Sequence, residues 1–149
     1  MVVIAPGSRR LLLVCAAALI KDGKVLLAQR PSGALAGLWE FPGGKLEAGE
    51  TPENALVREL FEELNIEVDQ ESLVPVTFAS HADTDADFHL LMPLFACTAW
   101  RGEPESSEGQ KLRWCTADEL ECMPVTDMPP ADIPLVEHVC RLLRAHHAA

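Results

Sequence analysis

The chain has 149 residues, of which 48% are hydrophobic and 23% are charged, and its formal net charge at pH 7 is -11. This length and composition are typical of a folded domain with its own core and exclude a disordered chain. The negative charge would repel polymeric nucleic acid and anionic membranes, so neither is an expected partner. We expect one domain over residues 1–149, with a monomer favoured over an oligomer.

The N-terminal part of the chain needs to be distinguished from a signal segment. Residues 1–10 are expected to be flexible, and the apolar run 11–20 that follows is shorter than the ~20 residues of a membrane span. This run leads through Asp22-Gly23 into a second apolar run, which favours a hairpin over a signal segment. The five cysteines are scattered and include no Cys-x-x-Cys pair, which favours reduced thiols and a cytoplasmic location.

The predicted elements are strands first, then a helix, then strands again and helices at the end. A hairpin of two strands, 11–20 and 25–30, comes first. Further strands are predicted at 38–41, 73–81, 88–100 and 111–115. Helices are predicted at 53–64, 117–122 and 133–146. This order predicts an α/β fold in which a mixed sheet lies between helices.

The stretch 43–66 combines a glycine-rich loop with an acidic amphipathic helix. Thr51 is a good N-cap and Pro52 a good first helical residue. The leucines of the helix fall on one face, whereas Glu59, Glu62 and Glu63 fall on the other side. A solvated surface is the usual role of such acids. Oxygen ligands of this kind also suit Mg²⁺ or Mn²⁺, which take phosphate oxygens as further ligands.

The spacing of these residues favours the metal site. Gly44 is followed after five residues by Glu50 and after seven more by Arg58-Glu59-Leu60, Glu62-Glu63 and Asn65-Ile66. This pattern, over residues 44–66, resembles the signature of the Nudix hydrolases, Gly-x5-Glu-x7-Arg-Glu-U-x-Glu-Glu-x-Gly-U, in which U is a bulky aliphatic residue. Asn65 replaces the usual glycine, and we expect it to adopt the left-handed conformation that asparagine tolerates.

The resemblance extends over roughly residues 11–143, and the segments 37–45, 102–110 and 129–135 are similar to the MutT-type branch. That branch contains 8-oxo-dGTP diphosphatases and CTP pyrophosphohydrolases. The resemblance implies a Nudix-type α/β/α sandwich that hydrolyses a nucleoside triphosphate to the monophosphate and pyrophosphate. It implies Mg²⁺ as the cofactor, with Mn²⁺ as an alternative.

The same resemblance assigns roles in the chemistry. The implied metal ligands are the carbonyl of Gly43 and the side chains of Glu59, Glu62, Glu63 and Glu108. Catalysis is assigned to Glu59, Glu62 and Glu108, with Glu59 preferred as the base that deprotonates the attacking water and Glu108 as its competitor. Structural support is expected from Gly44, Glu50 and Arg58, the last two as an ion pair.

Substrate contacts are expected from residues outside the helix. Arg30 and Lys45 would contact phosphate, although Arg30 could also be a surface charge at a strand end. Phe41 and His81 would line the base pocket, with plain packing as an equal alternative. Asp132 would read the base, since a carboxylate accepts from two nitrogens of guanine but only one of cytosine. Its alternative role is the N-cap of the last helix.

The expected function is therefore hydrolysis of 8-oxo-dGTP or dGTP, which removes oxidised precursors and supports DNA replication and repair. One alternative keeps the chemistry and changes the substrate to CTP or dCTP. A second alternative is a non-catalytic Nudix-like module that binds a nucleotide for a partner protein. The retained glutamates favour an enzyme.

Overall fold

A computed structural model describes residues 2–3 and 9–148, and the side chains of residues 9–145. Within these residues one mixed sheet contains eight strands. The strands are β1 (Val2–Val3), β2 (Arg10–Lys21), β3 (Lys24–Gln29), β4 (Trp39–Glu40), β5 (Gly43–Lys45), β6 (Val74–Asp83), β7 (Phe88–Cys97) and β8 (Leu112–Cys115). The α-helices are α1 (Pro52–Leu64), α2 (Ala117–Cys122) and α3 (Val136–Ala148). No helix in the described ranges is long and apolar enough to cross a membrane.

Strand β2 is the centre of the sheet. It runs parallel to β7 and antiparallel to β3 and β5. Its turn to β3 is made by Asp22 and Gly23, whose φ angles are 52° and 74°. Positive φ at both residues suits a tight two-residue hairpin, so the predicted hairpin is confirmed. Of the N-terminal stretch expected to be flexible, residues 1 and 4–8 lie outside the described residues, whereas Val2–Val3 pairs with β2.

Helices cover both faces of the sheet, which confirms the predicted α/β/α sandwich. Alternate residues of β2 belong to two cores because successive side chains of a strand point to opposite faces. Cys15, Ala17 and Leu19 pack in the core that contains the leucines of α1. Their neighbours in sequence pack in the core under α2 and α3: Ala16, Ala18 and Ile20.

Helix α1 begins and ends as predicted. The Thr51 side chain accepts a hydrogen bond from the amide of Asn54, and Pro52 is the first helical residue. Asn65 closes the helix in the left-handed conformation, with φ 54° and ψ 36°, and its amide donates to the Phe61 carbonyl at 3.0 Å. Asparagine thus performs the turn for which glycine is the usual residue.

The glycine-rich segment differs from the prediction, because Gly43–Lys45 forms strand β5 and not a loop. It pairs with Val14, Cys15 and Ala16 of β2. A Cβ atom at Gly43 would overlap the carbonyl oxygen of Cys15, so the absence of a side chain allows this close pairing. The last helix also differs, since a 3-10 turn, Ile133–Leu135, precedes α3.

Candidate active site

The carboxylate of Glu59 lies against the backbone of β5. A Cβ atom at position 44 would overlap this carboxylate, so Gly44 leaves the space that Glu59 occupies. The Glu59 side chain is only 15% exposed. The predicted supporting role of Gly44 therefore has a direct steric basis, since a larger residue would push Glu59 out of place.

Arg58 connects the acidic helix to the loop before it. Its Nε and Nη2 atoms donate to the two carboxylate oxygens of Glu50 at 2.8 Å each, and Nη2 also donates to the carbonyl of Lys45 at 3.1 Å. Its Nη1 atom donates to Glu59 at 3.0 Å and to Glu62 at 3.2 Å. The predicted Glu50–Arg58 ion pair is thus present, and hydrogen bonding by Arg58 holds the pKa of Glu50 well below its usual range.

We expect Arg58→Lys to destabilise the protein and to weaken metal binding. A lysine ammonium cannot span both oxygens of Glu50 while it also reaches a backbone carbonyl and a second carboxylate. The expected loss in the free energy of unfolding is about 2 kcal/mol, measured by urea denaturation. Arg101→Lys is the control, because the ion pairs of Arg101 are exposed and should matter little. Equal stability of the two variants would contradict this role of Arg58.

Glu63 lies beside Glu59 in the same acidic cluster. Burial and the negative charges of Glu59, Glu40 and Glu108 raise the pKa of Glu63 to about 8. Burial also raises the pKa of Glu59, although the neighbouring Arg58 opposes this effect. The negative charge of Glu59 is thus close enough to disfavour ionisation of Glu63 beside it.

The loop that carries Glu108 is attached to the end of α1. The amide of Ser107 donates to the carbonyl of Glu63 at 2.9 Å, and the amide of Glu105 donates to the carbonyl of Leu64 at 2.9 Å. These bonds use carbonyls that a helix leaves unpaired at its C-terminus. Glu108 itself is exposed, and its charge is close enough to contribute to the raised pKa of Glu63.

The donor set of this cluster fits a hard divalent cation. The groups are carboxylate oxygens, and the pKa values of Glu59 and Glu63 are raised by burial and by neighbouring negative charges, both of which a bound cation would offset. Within the described ranges no three acidic, histidine or cysteine side chains are already grouped as a metal site. Glu62 lies at the rim, where its side chain is 53% exposed and bonded to Arg58.

A second charged group lies where β3 and β4 end. Nε of Arg30 donates to a carboxylate oxygen of Glu40 at 3.0 Å. The backbone of Arg30 is fixed as well, because its amide donates to the Leu38 carbonyl and its carbonyl accepts from the Gly37 amide. Glu40 was not among the residues predicted from the sequence. The sequence feature that could have indicated Glu40 is an acid between the two aromatic residues Trp39 and Phe41.

Asp132 belongs to the same region and is only 3% exposed. Its side chain makes no hydrogen bond within the described residues and does not cap the following helical turn, so the capping alternative is wrong. No side-chain oxygen or nitrogen in the described part of the chain is both fully buried and without a hydrogen bond. Since the Asp132 carboxyl makes no hydrogen bond, its oxygens are therefore still accessible to a small probe such as water. Burial, together with the charge of Glu40, raises the pKa of Asp132 well above its usual value.

The other three predicted substrate contacts, Phe41, His81 and Lys45, differ in burial and position. Phe41 is 3% exposed and packs in the core under α2 and α3, which favours the packing role. His81 is half-buried on β6 and shares a face with buried Ala79. The segment that follows Asp132 packs against this strand. Lys45 is exposed on β5, and its carbonyl accepts a hydrogen bond from Arg58.

Comparison with known proteins supports these features. The NUDIX domain family matches residues 10–139. The chain is 41% identical over 136 residues to the CTP pyrophosphohydrolase of Escherichia coli, covering 91% of this chain and 96% of that protein. It is 40% identical over 104 residues to the 8-oxo-dGTP diphosphatase of Proteus vulgaris, covering 69% of this chain and 86% of that protein.

A solved structure shows the same fold. The crystal structure of a MutT Nudix hydrolase from Burkholderia pseudomallei is similar with a TM-score of 0.77 and 30% sequence identity, and covers 87% of this chain and 98% of that one. Nudix hydrolases generally use divalent metal ions, which agrees with the carboxylate cluster on α1. The fold, the acidic helix and these matches show that this chain is a hydrolase that belongs to the MutT type of the Nudix family.

Proposed function

We propose that the protein is a Mg²⁺-dependent nucleoside triphosphate pyrophosphohydrolase that releases the nucleoside monophosphate and pyrophosphate. The observation that carries this proposal is the carboxylate of Glu59, which lies against Gly44, is held by Arg58 and has Glu63 beside it. One domain would perform the whole reaction. Mn²⁺ would serve as an alternative cofactor, since both ions are hard cations that prefer oxygen ligands.

The proposed ligands are the side chains of Glu59, Glu63 and Glu108 and the carbonyl of Gly43. A bound divalent ion would neutralise the triphosphate and lower the pKa of the attacking water. Glu59 is the proposed general base, because Arg58 fixes its carboxylate at 3.0 Å and its side chain is only 15% exposed. Glu108 remains the competitor for this role. The exposed position of Glu62 favours a supporting contribution through Arg58.

The proposed substrate site joins Arg30 to the base pocket. The Arg30 side chain is 40% exposed and oriented by Glu40, so its remaining donors are available to phosphate oxygens. Asp132 is buried and has no hydrogen-bond partner among the described residues, and it is the proposed reader of the base. A bound base would supply the hydrogen bonds that the protein does not.

The leading substrate is 8-oxo-dGTP or dGTP. Hydrolysis of 8-oxo-dGTP would remove an oxidised precursor before DNA replication. CTP or dCTP is the second candidate, favoured by the 41% identical CTP pyrophosphohydrolase. A non-catalytic nucleotide-binding module is the least favoured alternative, because the acids of α1 are retained. We propose a cytoplasmic location, without polymeric nucleic acid as a partner.

A panel of nucleoside triphosphates tests the proposal. We expect Mg²⁺-dependent hydrolysis of at least one of 8-oxo-dGTP, dGTP, CTP and dCTP, with monophosphate and pyrophosphate as products. The measurements are kcat/KM for each compound and identification of products by chromatography, with chelator as the control. Release of inorganic phosphate from the γ position, or no hydrolysis of any compound, would contradict the proposal.

A further inference from the structure

The side chain of Glu108 is not held in place by any contact of its own. It is exposed, and no described residue forms a hydrogen bond or an ion pair with it. Its negative charge nevertheless contributes to the raised pKa of Glu63 on α1. The position of Glu108 relative to the acidic cluster is therefore set by the backbone that carries it. A cation that used Glu108 as a ligand would depend on the order of that backbone.

The backbone is anchored on both sides of Glu108 but not at Glu108 itself. Before it, the amides of Glu105 and Ser107 donate to carbonyls at the end of α1. After it, the amide of Gln29 on β3 donates to the carbonyl of Lys111 at 2.9 Å. The residues between Ser107 and Lys111 make no backbone hydrogen bond with any part of the chain that the structure describes. Glu108 thus belongs to a short segment that no backbone pairing holds in place.

One side-chain hydrogen bond spans this segment. The hydroxyl of Ser106 donates to Oε1 of Gln110 at 2.6 Å, and both residues are partly buried. Gly109, which lies between them, has a φ of 81°, and this conformation lets the chain turn after Glu108. The bond ties the end of the segment to its anchored beginning, so that the segment with Glu108 is closed into a small loop.

We propose that Ser106 and Gln110 are positioning residues, which hold Glu108 close to the acidic cluster so that it ligates a divalent cation. The proposal rests on the proposed function in one respect, because it takes Glu108 as a metal ligand. A loop that is already ordered loses little conformational entropy when the cation binds, whereas an open loop must be ordered by the cation itself. The hydrogen bond should therefore raise metal affinity more than it raises the stability of the fold.

Calorimetric titration of the metal-free protein with Mn²⁺ tests the proposal. Ser106→Ala removes the donor, and Gln110→Met removes the acceptor at nearly constant side-chain size. We expect each change to weaken Mn²⁺ binding about fivefold. Ser106→Thr keeps the hydroxyl and should have an affinity within about twofold of the wild type. Ser107→Ala is the matched control, because Ser107 is the next residue, is exposed, and its side chain makes no hydrogen bond with the described residues.

A double-mutant cycle separates positioning from a general loss of structure. Glu108→Ala leaves no ligand to position, so Ser106→Ala should cause no further loss of Mn²⁺ affinity in that background. A purely structural role of Ser106 would lower the affinity equally in both backgrounds. Circular dichroism verifies that each variant is folded.

The remaining outcomes distinguish this inference from the proposed function. An unchanged Mn²⁺ affinity in Ser106→Ala, or an equal loss in both backgrounds, would overturn the inference. Glu108→Ala that binds Mn²⁺ as tightly as the wild type would also overturn it, while hydrolysis of a nucleoside triphosphate would still support the proposed function. Conversely, the expected coupling in a protein that hydrolyses no nucleoside triphosphate would sustain the inference and overturn the proposed function.

Discussion

Replacement of Glu59 by glutamine is expected to lower kcat by about a thousandfold while the fold remains intact. Glutamine keeps the shape of the side chain, so the space at Gly44 and the contact with Arg58 are preserved. It cannot take a proton from water, and it removes a negative charge from the proposed metal site. The measurement is steady-state hydrolysis at saturating Mg²⁺, with the release of pyrophosphate as the signal.

A thermal melt separates this catalytic effect from a loss of structure. The change removes one of two adjacent acidic groups, so the Tm without added metal is expected to stay the same or to rise. The increase in Tm that Mg²⁺ causes should shrink, because the site has lost a ligand. Glu53→Gln, on the first turn of the same helix, is the control and should retain wild-type kcat.

Glu108→Gln decides between the two candidate bases. Glu108 is exposed on a loop attached to the end of α1, so its loss should lower kcat less than the loss of Glu59. Glu105→Gln is the matched control for this variant, since it is an exposed acid in the same loop. A larger loss of kcat in Glu108→Gln than in Glu59→Gln would assign the base to Glu108.

Features encoded within a few residues could be predicted from the sequence. The Asp22-Gly23 turn, the Thr51 cap and the left-handed Asn65 all depend on local backbone preferences, and each has the expected conformation. The two acids of the cluster also followed from local spacing, because Glu59 and Glu63 are one helical turn apart. Local rules therefore described most of the acidic helix and its ends.

Features that depend on distant contacts could not be predicted in the same way. Strand β5 forms because Gly43 and Gly44 meet Cys15 and Ala16, which come much earlier in the chain. The burial of Asp132 arises from the packing of its turn against the sheet, and no local pattern distinguishes it from a helix cap. Glu40 became visible only through its bond to Arg30 on the neighbouring strand.

Divalent metal binding is expected to tighten about tenfold for each unit by which the pH rises towards about 8, and to level off above that pH. The pKa of Glu63 is raised to about 8, chiefly by burial and then by Glu59, so a proton occupies the site that a cation would take. The cation must displace this proton, and its apparent affinity therefore rises with pH. Calorimetric titration with Mn²⁺ measures the effect, and Glu63→Gln should bind weakly at every pH.

The same proton predicts how stability depends on pH when no metal is added. The folded-state pKa of Glu63, about 8, exceeds its ordinary value of 4.5, so the folded chain binds more protons than the unfolded chain between these values. The contribution of Glu63 to stability is complete below pH 4.5 and is lost as the pH rises through about 8. Saturating Mg²⁺ should reverse this loss, because the cation replaces the proton and neutralises the cluster.

The calorimetric titration has its own contradicting outcome. A Mn²⁺ affinity that is constant below pH 8 would show that Glu63 is not a ligand.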